Sequence, residues 1–100
     1  MFQEIVRQAV LEMEAEAEVF LYGSRVRGEV GPESDWDFLV LLPGEVDFPR
    51  KARLRRRLYE IEWETGCVIN VLVHGQDEWR RFPLNTMPLW ENIKREGCRV

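Results

Sequence analysis

Two carboxylates inside an apolar stretch decide how this chain folds: residues 21–42 read LYGSRVRGEVGPESDWDFLVLL. A first apolar run ends at Gly23-Ser24, and a second run, DWDFLVLL over residues 35–42, has Asp35 and Asp37 at its start. Carboxylates are rarely buried unless they are paired or bind a cation. The stretch therefore raises the question of what the two aspartates hold.

The spacing of the two aspartates predicts a metal site. Side chains alternate along a strand, so Asp35 and Asp37 point to one face of the sheet and Trp36 points to the other. The two carboxylates repel each other, and one or two divalent cations would remove that repulsion. Mg²⁺ suits the site because it takes a few carboxylate oxygens and completes its octahedron with water and substrate phosphates. The alternative is that the pattern only protects a sheet edge.

Gly23 and Ser24 have the properties of a phosphate-binding turn. A glycine at the end of a strand lets the backbone approach a ligand, and Ser24 offers a hydroxyl and an N–H at an expected helix start. Arg25 and Arg27 are forked donors suited to phosphate oxygens. Taken singly, these residues also fit an ordinary turn and a solvated surface, so the prediction rests on their combination. The expected turn back to the aspartates contains Gly28, Gly31 and Pro32.

Hydrophobic periodicity along the rest of the chain predicts an α/β or α+β fold, with helices packed on a sheet of three or more strands. Strands are expected over residues 18–23, 35–42 and 67–75, the second of them central because it is apolar on both faces. A first helix over residues 2–15 would bury Ile5, Val6, Ala9, Val10 and Met13. A second helix would be capped by Asp47, bury Leu54, Leu58 and Ile61, and end at residues 64–66. A short polar helix near 76–81 and a last helix from Pro88 through Ile93 to Gly97 complete the order.

Composition indicates one globular domain spanning residues 1–100, since 45% of the residues are hydrophobic and 32% are charged. No apolar run approaches the roughly 18 residues of a membrane span, and the first ten residues resemble neither a signal nor a transit peptide. A cytoplasmic protein without a membrane partner is therefore expected. Cys67, Cys98 and the lone His74 lack zinc-site spacing, so the cysteines are expected to be reduced thiols.

Charge is distributed unevenly along the chain. Residues 1–50 hold 4 basic and 11 acidic side chains, a net charge of −7, whereas residues 51–100 hold 10 and 7, a net charge of +3. The acidic total makes nucleic acid an unlikely partner. Six of the basic residues lie within 50–57. A solvated helix face explains them, and docking of an acidic partner or steering of nucleotide phosphates stays open. Trp63, Trp79 and Trp90 are expected in the core or in a lid.

The quoted stretch resembles the G-S-x10-D-x-D signature of the minimal nucleotidyltransferases, small members of the DNA polymerase beta superfamily. The resemblance covers nearly the whole chain, including PLWENIKREG at residues 88–97. It implies the nucleotidyltransferase fold with a small mixed sheet. It further implies that Gly23 and Ser24 hold a nucleoside triphosphate, and that Asp35 and Asp37 bind two Mg²⁺ ions. Many members are antitoxins encoded beside a HEPN-domain ribonuclease toxin, and some transfer AMP from ATP to a tyrosine of that toxin.

Asn70 departs from the family pattern, which usually has a third carboxylate on the next strand. The matching position in VINVLV is Asn70. An asparagine keeps an oxygen that can ligate a metal, but it has one negative charge fewer and cannot act as a base. In the family pattern the third carboxylate supports only the ion that activates the attacking hydroxyl. We therefore expect nucleotide binding to survive and transfer to be weakened.

The sequence thus favours a Mg²⁺-dependent nucleotidyltransferase that uses ATP and acts as the antitoxin of a HEPN-type toxin, with Asn70 as the third catalytic position. A non-enzymatic module of the same fold, which neutralises its partner by binding alone, is the alternative. A nucleic-acid-binding domain has weak support from the arginine run. Small-molecule acceptors such as aminoglycosides and a possible oligomer stay open.

Overall fold

A computed structural model of the protein describes residues 2–28 and 35–100. The elements in chain order are α1 (Phe2–Met13), β1 (Glu18–Tyr22), α2 (Ser24–Arg27), β2 (Trp36–Leu42), α3 (Phe48–Thr65), β3 (Ile69–Gly75), α4 (Gln76–Trp79), α5 (Pro88–Glu96) and β4 (Cys98–Arg99). The helices and strands expected from the sequence are present, and several are shorter than expected: α1 ends at Met13 instead of residue 15, and β3 begins at Ile69 instead of residue 67. Strand β4 and a 3-10 turn at Leu84–Thr86 were not predicted. The expected role of Gly31 and Pro32 lies outside the described residues.

The strands form a four-stranded sheet in the order β3-β2-β1-β4. Strand β2 runs parallel to β3 and antiparallel to β1, and β4 pairs antiparallel with β1. This is a mixed sheet with helices packed on it, which confirms the predicted fold class. The central position of β2 is also confirmed, since each residue of Phe38–Leu42 is at most 1% exposed.

Helices cover both faces of the sheet because β2 is apolar on both. On one face, α1 and α3 pack against the side chains of Phe38, Val40 and Leu42. On the other face, Trp79 and Ile93 pack against Leu39 and Leu41. The fold therefore has three layers around the strand that begins beside the two aspartates.

Two of the five residues predicted to form the buried stripe of α1 are exposed. Ile5 is 49% exposed and Met13 is 40% exposed, whereas Val6, Ala9 and Val10 are buried. Ile5 lies about 100° around the helix from Val6, and Met13 is the last residue of the helix. The contact of α1 is thus narrower than its apolar periodicity predicts.

The tryptophans differ in where they lie. Trp79 is 8% exposed, and the half-buried Trp90 donates its indole N–H to the Trp79 carbonyl at 2.7 Å. Trp63 is 74% exposed, so the prediction that it lies in the core is wrong, and its place in a lid stays a prediction. It lies on the outer side of α3, whose inner side is already filled by Leu54, Leu58 and Ile61.

Arg50 joins the end of α1 to the segment that leads into α3. Its guanidinium donates two hydrogen bonds to the Glu14 carboxylate, at 2.8 and 2.7 Å, and two to the carbonyls of Pro43 and Glu45, at 2.7 and 2.9 Å. Asp47 caps α3 as predicted by accepting from the Arg50 N–H at 3.0 Å. The hydrogen bonds from Arg50 lower the pKa of Glu14, although partial burial opposes them. This cluster fixes the start of α3 against the sheet layer.

Within residues 2–28 and 35–100, no helix is both long enough and apolar enough to cross a membrane.

Candidate active site

The sheet topology brings three segments of the predicted site to one edge. Because β1 and β2 are antiparallel, the end of β1 lies beside the start of β2, where Tyr22 pairs with Asp37. On the other side of β2, Asp37 pairs with Asn70 of the parallel strand β3. Gly23 follows Tyr22 directly. The chain therefore places the Gly23-Ser24 turn, the aspartates and Asn70 next to one another.

Asn70 links the two aspartates by hydrogen bonds. Its side-chain Nδ2 donates to Asp35 Oδ2 at 2.9 Å and to Asp37 Oδ1 at 3.1 Å. All three side chains project from the same face of the sheet, as their alternation predicts. The two N–H groups offset the repulsion between the carboxylates.

The same residues fit a hard divalent cation. Asp35 and Asp37 offer carboxylate oxygens, and a half-turn of the Asn70 amide would present its oxygen in place of its NH₂ group. Oxygen ligands are the ones that Mg²⁺ prefers. Among the residues that the structure describes, no group of three or more His, Cys, Asp or Glu side chains could hold a metal. Asn70 is therefore the neighbour that would add a third side-chain oxygen.

Gly23 is in close contact with Asp37. Its φ of +82° lies in the left-handed region, which glycine adopts without strain. A Cβ atom at this position would overlap Asp37 Oδ2. Glycine is therefore required at this turn for two separate reasons, its backbone conformation and the space that the carboxylate occupies.

Ser24 is the first residue of α2 and half-buried at the same turn. The turn is closed by the Gly23 carbonyl, which accepts from the N–H groups of Val26 at 3.1 Å and Arg27 at 3.3 Å. Gly28 ends α2 with a φ of +78°. Ser24 thus begins a short, internally bonded segment next to the carboxylates.

The two arginines predicted to bind nucleotide contact other side chains in this structure. The Arg25 guanidinium lies 4.1 Å from the centre of the Trp36 ring, and Trp36 projects from the opposite face to Asp35 and Asp37. Arg27 Nη1 pairs with Glu96 Oε2 of α5 at 3.1 Å. The structure therefore brings together Gly23, Ser24, Asp35, Asp37 and Asn70, whereas Arg25 contacts Trp36 and Arg27 contacts Glu96.

Tyr22 is a neighbour of the site that the sequence reasoning missed. It is half-buried and stands opposite Asp37 in the β1–β2 pair. Burial raises the pKa of its phenol, and the Asp37 carboxylate raises it further. Tyr22 therefore stays protonated at neutral pH. Its place immediately before Gly23 was the available signal.

An apolar cavity of about 350 Å³ lies between the sheet and α5 on the same face. Its floor includes Phe20 and Leu39, one side-chain row beyond Tyr22 and Asp37, and Trp79 and Trp90 form part of its wall. The carboxylates thus stand at the border between a polar edge and an apolar interior.

Comparison with known proteins agrees with this arrangement. Residues 3–95 match the nucleotidyltransferase domain family. The bifunctional uridylyltransferase/uridylyl-removing enzyme of Cupriavidus metallidurans is 37% identical to this chain over 68 residues, which are 68% of this chain and 8% of that enzyme. The match therefore concerns only a small part of a much longer relative. Since the family match includes both the Gly23-Ser24 turn and the strand of Asn70, the chain belongs to the nucleotidyltransferase domain family.

Proposed function

We propose that this domain binds Mg²⁺ and ATP and transfers AMP to a protein acceptor, a HEPN-type toxin, as the antitoxin of a toxin–antitoxin pair. One observation carries the nucleotide-binding part: Asp35, Asp37 and Asn70 converge beside Gly23, whose lack of a side chain leaves room for the Asp37 carboxylate. The resemblance to minimal nucleotidyltransferases supports the acceptor and the biological role.

Each residue has a defined part in this proposal. Asp35 and Asp37 would hold the cation, and the Asn70 amide oxygen would be a third ligand. The Ser24 hydroxyl donates a hydrogen bond to the triphosphate, and Gly23 lets the phosphates approach the backbone. Bound Mg²⁺ supplies positive charge that stabilises the attacking and leaving oxygens of phosphoryl transfer.

The transfer step follows from these positions. An acceptor hydroxyl oxygen forms a bond to the α-phosphorus of ATP, the bond from that phosphorus to the bridging oxygen breaks, and pyrophosphate leaves. The acceptor proton passes to water, because the Asn70 amide cannot take it up. Catalysis then depends on positioning and on charge stabilisation.

A second function is favoured by Asn70 itself. Its amide already bonds both carboxylates at 2.9 and 3.1 Å, and it lacks the negative charge that the family usually has there. A domain of this kind could keep its partner inactive by binding alone. The two functions differ in one measurable property, which is the transfer of labelled nucleotide.

Calorimetry with Mg²⁺ and ATP tests nucleotide binding. Wild type should bind ATP in a metal-dependent way, and the Asp35→Asn/Asp37→Asn double variant should not. An Asp77→Asn/Glu91→Gln variant, which neutralises two exposed acids outside the site, serves as the charge control. Equal ATP binding by wild type and the first variant would refute the proposal.

Ser24→Ala tests the contact with the triphosphate. Loss of one hydrogen bond to a charged group should weaken ATP binding by about 1–3 kcal/mol. An unchanged dissociation constant would remove Ser24 from the site.

Labelled nucleotide tests transfer and its specificity. α-Labelled ATP and α-labelled UTP are each incubated with the domain and the co-purified product of the neighbouring gene. Label from ATP on a HEPN-type partner supports the enzyme. Preferential labelling from UTP would contradict the proposed nucleotide, and tight partner binding without label would favour the binding module.

A further inference from the structure

Four large apolar side chains are exposed together where α3 meets the outer strand of the sheet. Phe48 is 77% exposed, Tyr59 57%, Trp63 74% and Val68 51%. Contiguous exposed apolar groups with a polar rim mark interaction sites, whereas scattered ones do not. We call this region the edge surface and define it as Phe48, Arg55, Arg56, Tyr59, Trp63 and Val68.

The edge surface is continuous because two grooves adjoin within it. A groove of about 500 Å³ is lined by Phe48, Tyr59 and the strand residues Ile69 and Val71, together with both arginines. A groove of about 330 Å³ is lined by Trp63 and Val68. Tyr59 lines both grooves, and its ring meets the Trp63 ring edge-on at 6.3 Å. The aromatic side chains therefore border one elongated depression along β3.

Strand β3 offers unpaired backbone groups beside this depression. Among the strands in residues 2–28 and 35–100, it lies at the edge of the sheet and pairs with β2 alone. Since the Trp36 N–H donates to the Val68 carbonyl at 2.9 Å, the backbone groups of Asn70 face β2 and those of Ile69 and Val71 face outwards. The outward Ile69 N–H is bonded to Glu62 at 2.7 Å. Within residues 2–28 and 35–100 the outward groups of Val71 have no partner, so a strand can be added there.

The two ends of the edge surface differ in charge. Arg55 and Arg56 are exposed, and neither has an ion-pair partner in the described part of the chain. Towards the other end of the helix lie Glu60 and Glu64, and Glu62 lines both grooves. A complementary segment would carry its acids opposite the arginines and its apolar side chains opposite Tyr59 and Trp63.

We propose that the edge surface binds an extended segment of a partner protein as an additional strand on β3, with aromatic or aliphatic side chains in the grooves and Asp or Glu opposite Arg55 and Arg56. Strand addition obtains affinity from main-chain hydrogen bonds and specificity from pockets for alternate side chains. A segment of this kind matches the surface in two ways: its acids face Arg55 and Arg56, and its apolar side chains face Tyr59 and Trp63.

Other occupants fit the surface less well. If two copies paired through β3 about a two-fold axis, Arg55 and Arg56 of one copy would lie beside those of the other. Their like charges would repel. A nucleic acid stacked on Trp63 would bring phosphates to Glu60 and Glu64. The inference is independent of nucleotide binding, because Ile69 and Val71 point to the opposite face from Asn70.

Fluorescence anisotropy tests the proposal with three synthetic peptides. The first carries Glu near one end and Val and Tyr near the other, separated by Ser so that the acidic and apolar side chains share one face of the strand. The second replaces each Glu by Lys, and the third is the acidic peptide N-methylated at alternate residues, which removes strand hydrogen bonds. We expect the acidic peptide to bind at least ten-fold more tightly than either of the others. Equal affinity for the three peptides would overturn the proposal.

Substitutions locate the binding site on the chain. Trp63→Ala and Arg55→Glu/Arg56→Glu should each weaken the acidic peptide at least ten-fold. Two matched controls should leave the affinity for the acidic peptide unchanged. Phe82→Ala removes a side chain that is 81% exposed away from the edge surface, and Arg81→Glu/Arg95→Glu reverses two charges elsewhere. All these side chains are exposed, and thermal unfolding checks that each variant is folded.

Two further outcomes would overturn the proposal in favour of another occupant. One is a homodimer of the full chain, measured by light scattering, that Trp63→Ala dissociates. The other is binding of a labelled oligouridine that depends on Trp63 and is tighter than that of the acidic peptide. A monomeric chain that binds the acidic peptide and not the oligouridine is the result we expect.

Discussion

Replacing Asn70 by aspartate distinguishes a metal site from a merely hydrogen-bonded cluster. The substitution removes the donor of two hydrogen bonds, at 2.9 Å to Asp35 and 3.1 Å to Asp37, and puts a third carboxylate in its place. Hydrogen bonds to charged groups contribute about 1.5–3 kcal/mol each when buried. These bonds are exposed to solvent, so we expect a total loss of about 1–2 kcal/mol without metal. In a domain of this size that lowers the melting temperature by about 4–16 °C.

Magnesium should reverse the effect. Three carboxylates attract a divalent cation more strongly than two, and a ligand at one hundred times its dissociation constant stabilises the native state by about 2.7 kcal/mol. Thermal unfolding with and without Mg²⁺ should therefore show that Asn70→Asp is less stable than wild type in chelator and gains more from Mg²⁺ than wild type does. Transfer of labelled AMP should rise about ten-fold or more, which corresponds to about 1.4 kcal/mol of the barrier.

Asn92→Asp is the control, because it adds the same charge to an exposed position on α5. It should change neither the response to Mg²⁺ nor the transfer. If Asn70→Asp is destabilised to the same extent with and without Mg²⁺, Asn70 is not a metal ligand and the proposed site is wrong.

Two further predictions follow from other contacts. Gly23→Ala should abolish Mg²⁺-dependent ATP binding, because its Cβ would overlap Asp37 Oδ2. Gly28→Ala is the control: Gly28 has a similar positive φ but open space around it, so this variant should lose only about 1–2 kcal/mol of stability. If calorimetry finds that both variants bind ATP equally well, this reasoning is wrong. The lowered pKa of Glu14 in the folded state predicts that its bonds to Arg50 stabilise the protein above pH 4.5, its ordinary value, and that this contribution is lost as pH falls through the lowered pKa. Urea unfolding should show that Glu14→Gln removes this part of the pH dependence, worth about 1 kcal/mol, and an unchanged pH profile would argue against it.

The apolar patterns and the glycine and aspartate positions were sufficient to predict most of the sheet from the sequence. A strand apolar on both faces has to be central, and β2 is. A glycine after one strand and aspartates at the start of the next meet at one edge once the two strands pair as an antiparallel ladder. Strand β4 could not be predicted, because two residues have no periodicity and form a strand only through pairing with β1.

The directions of individual side chains were beyond the sequence. Arg25 directly follows Ser24, but the sequence did not indicate that its guanidinium lies 4.1 Å from the centre of the Trp36 ring. The exposure of Trp63 also could not be predicted from the sequence. Hydrophobicity predicts burial, but the inner side of α3 is filled by three aliphatic residues, which leaves Trp63 on the exposed side.

Because the central strand β2 is buried, the edge of the sheet that carries the site is formed before a ligand binds. Asp37 lies in β2 and Asp35 directly precedes it, and Phe38–Leu42 are fully buried between two paired neighbours. The amides of such a strand exchange with deuterium only when the whole domain opens. The backbone that carries Asp37 is therefore ordered before a ligand arrives. A ligand at this edge has little ordering entropy to overcome, and it should slow the exchange of all the β2 amides together by the same factor.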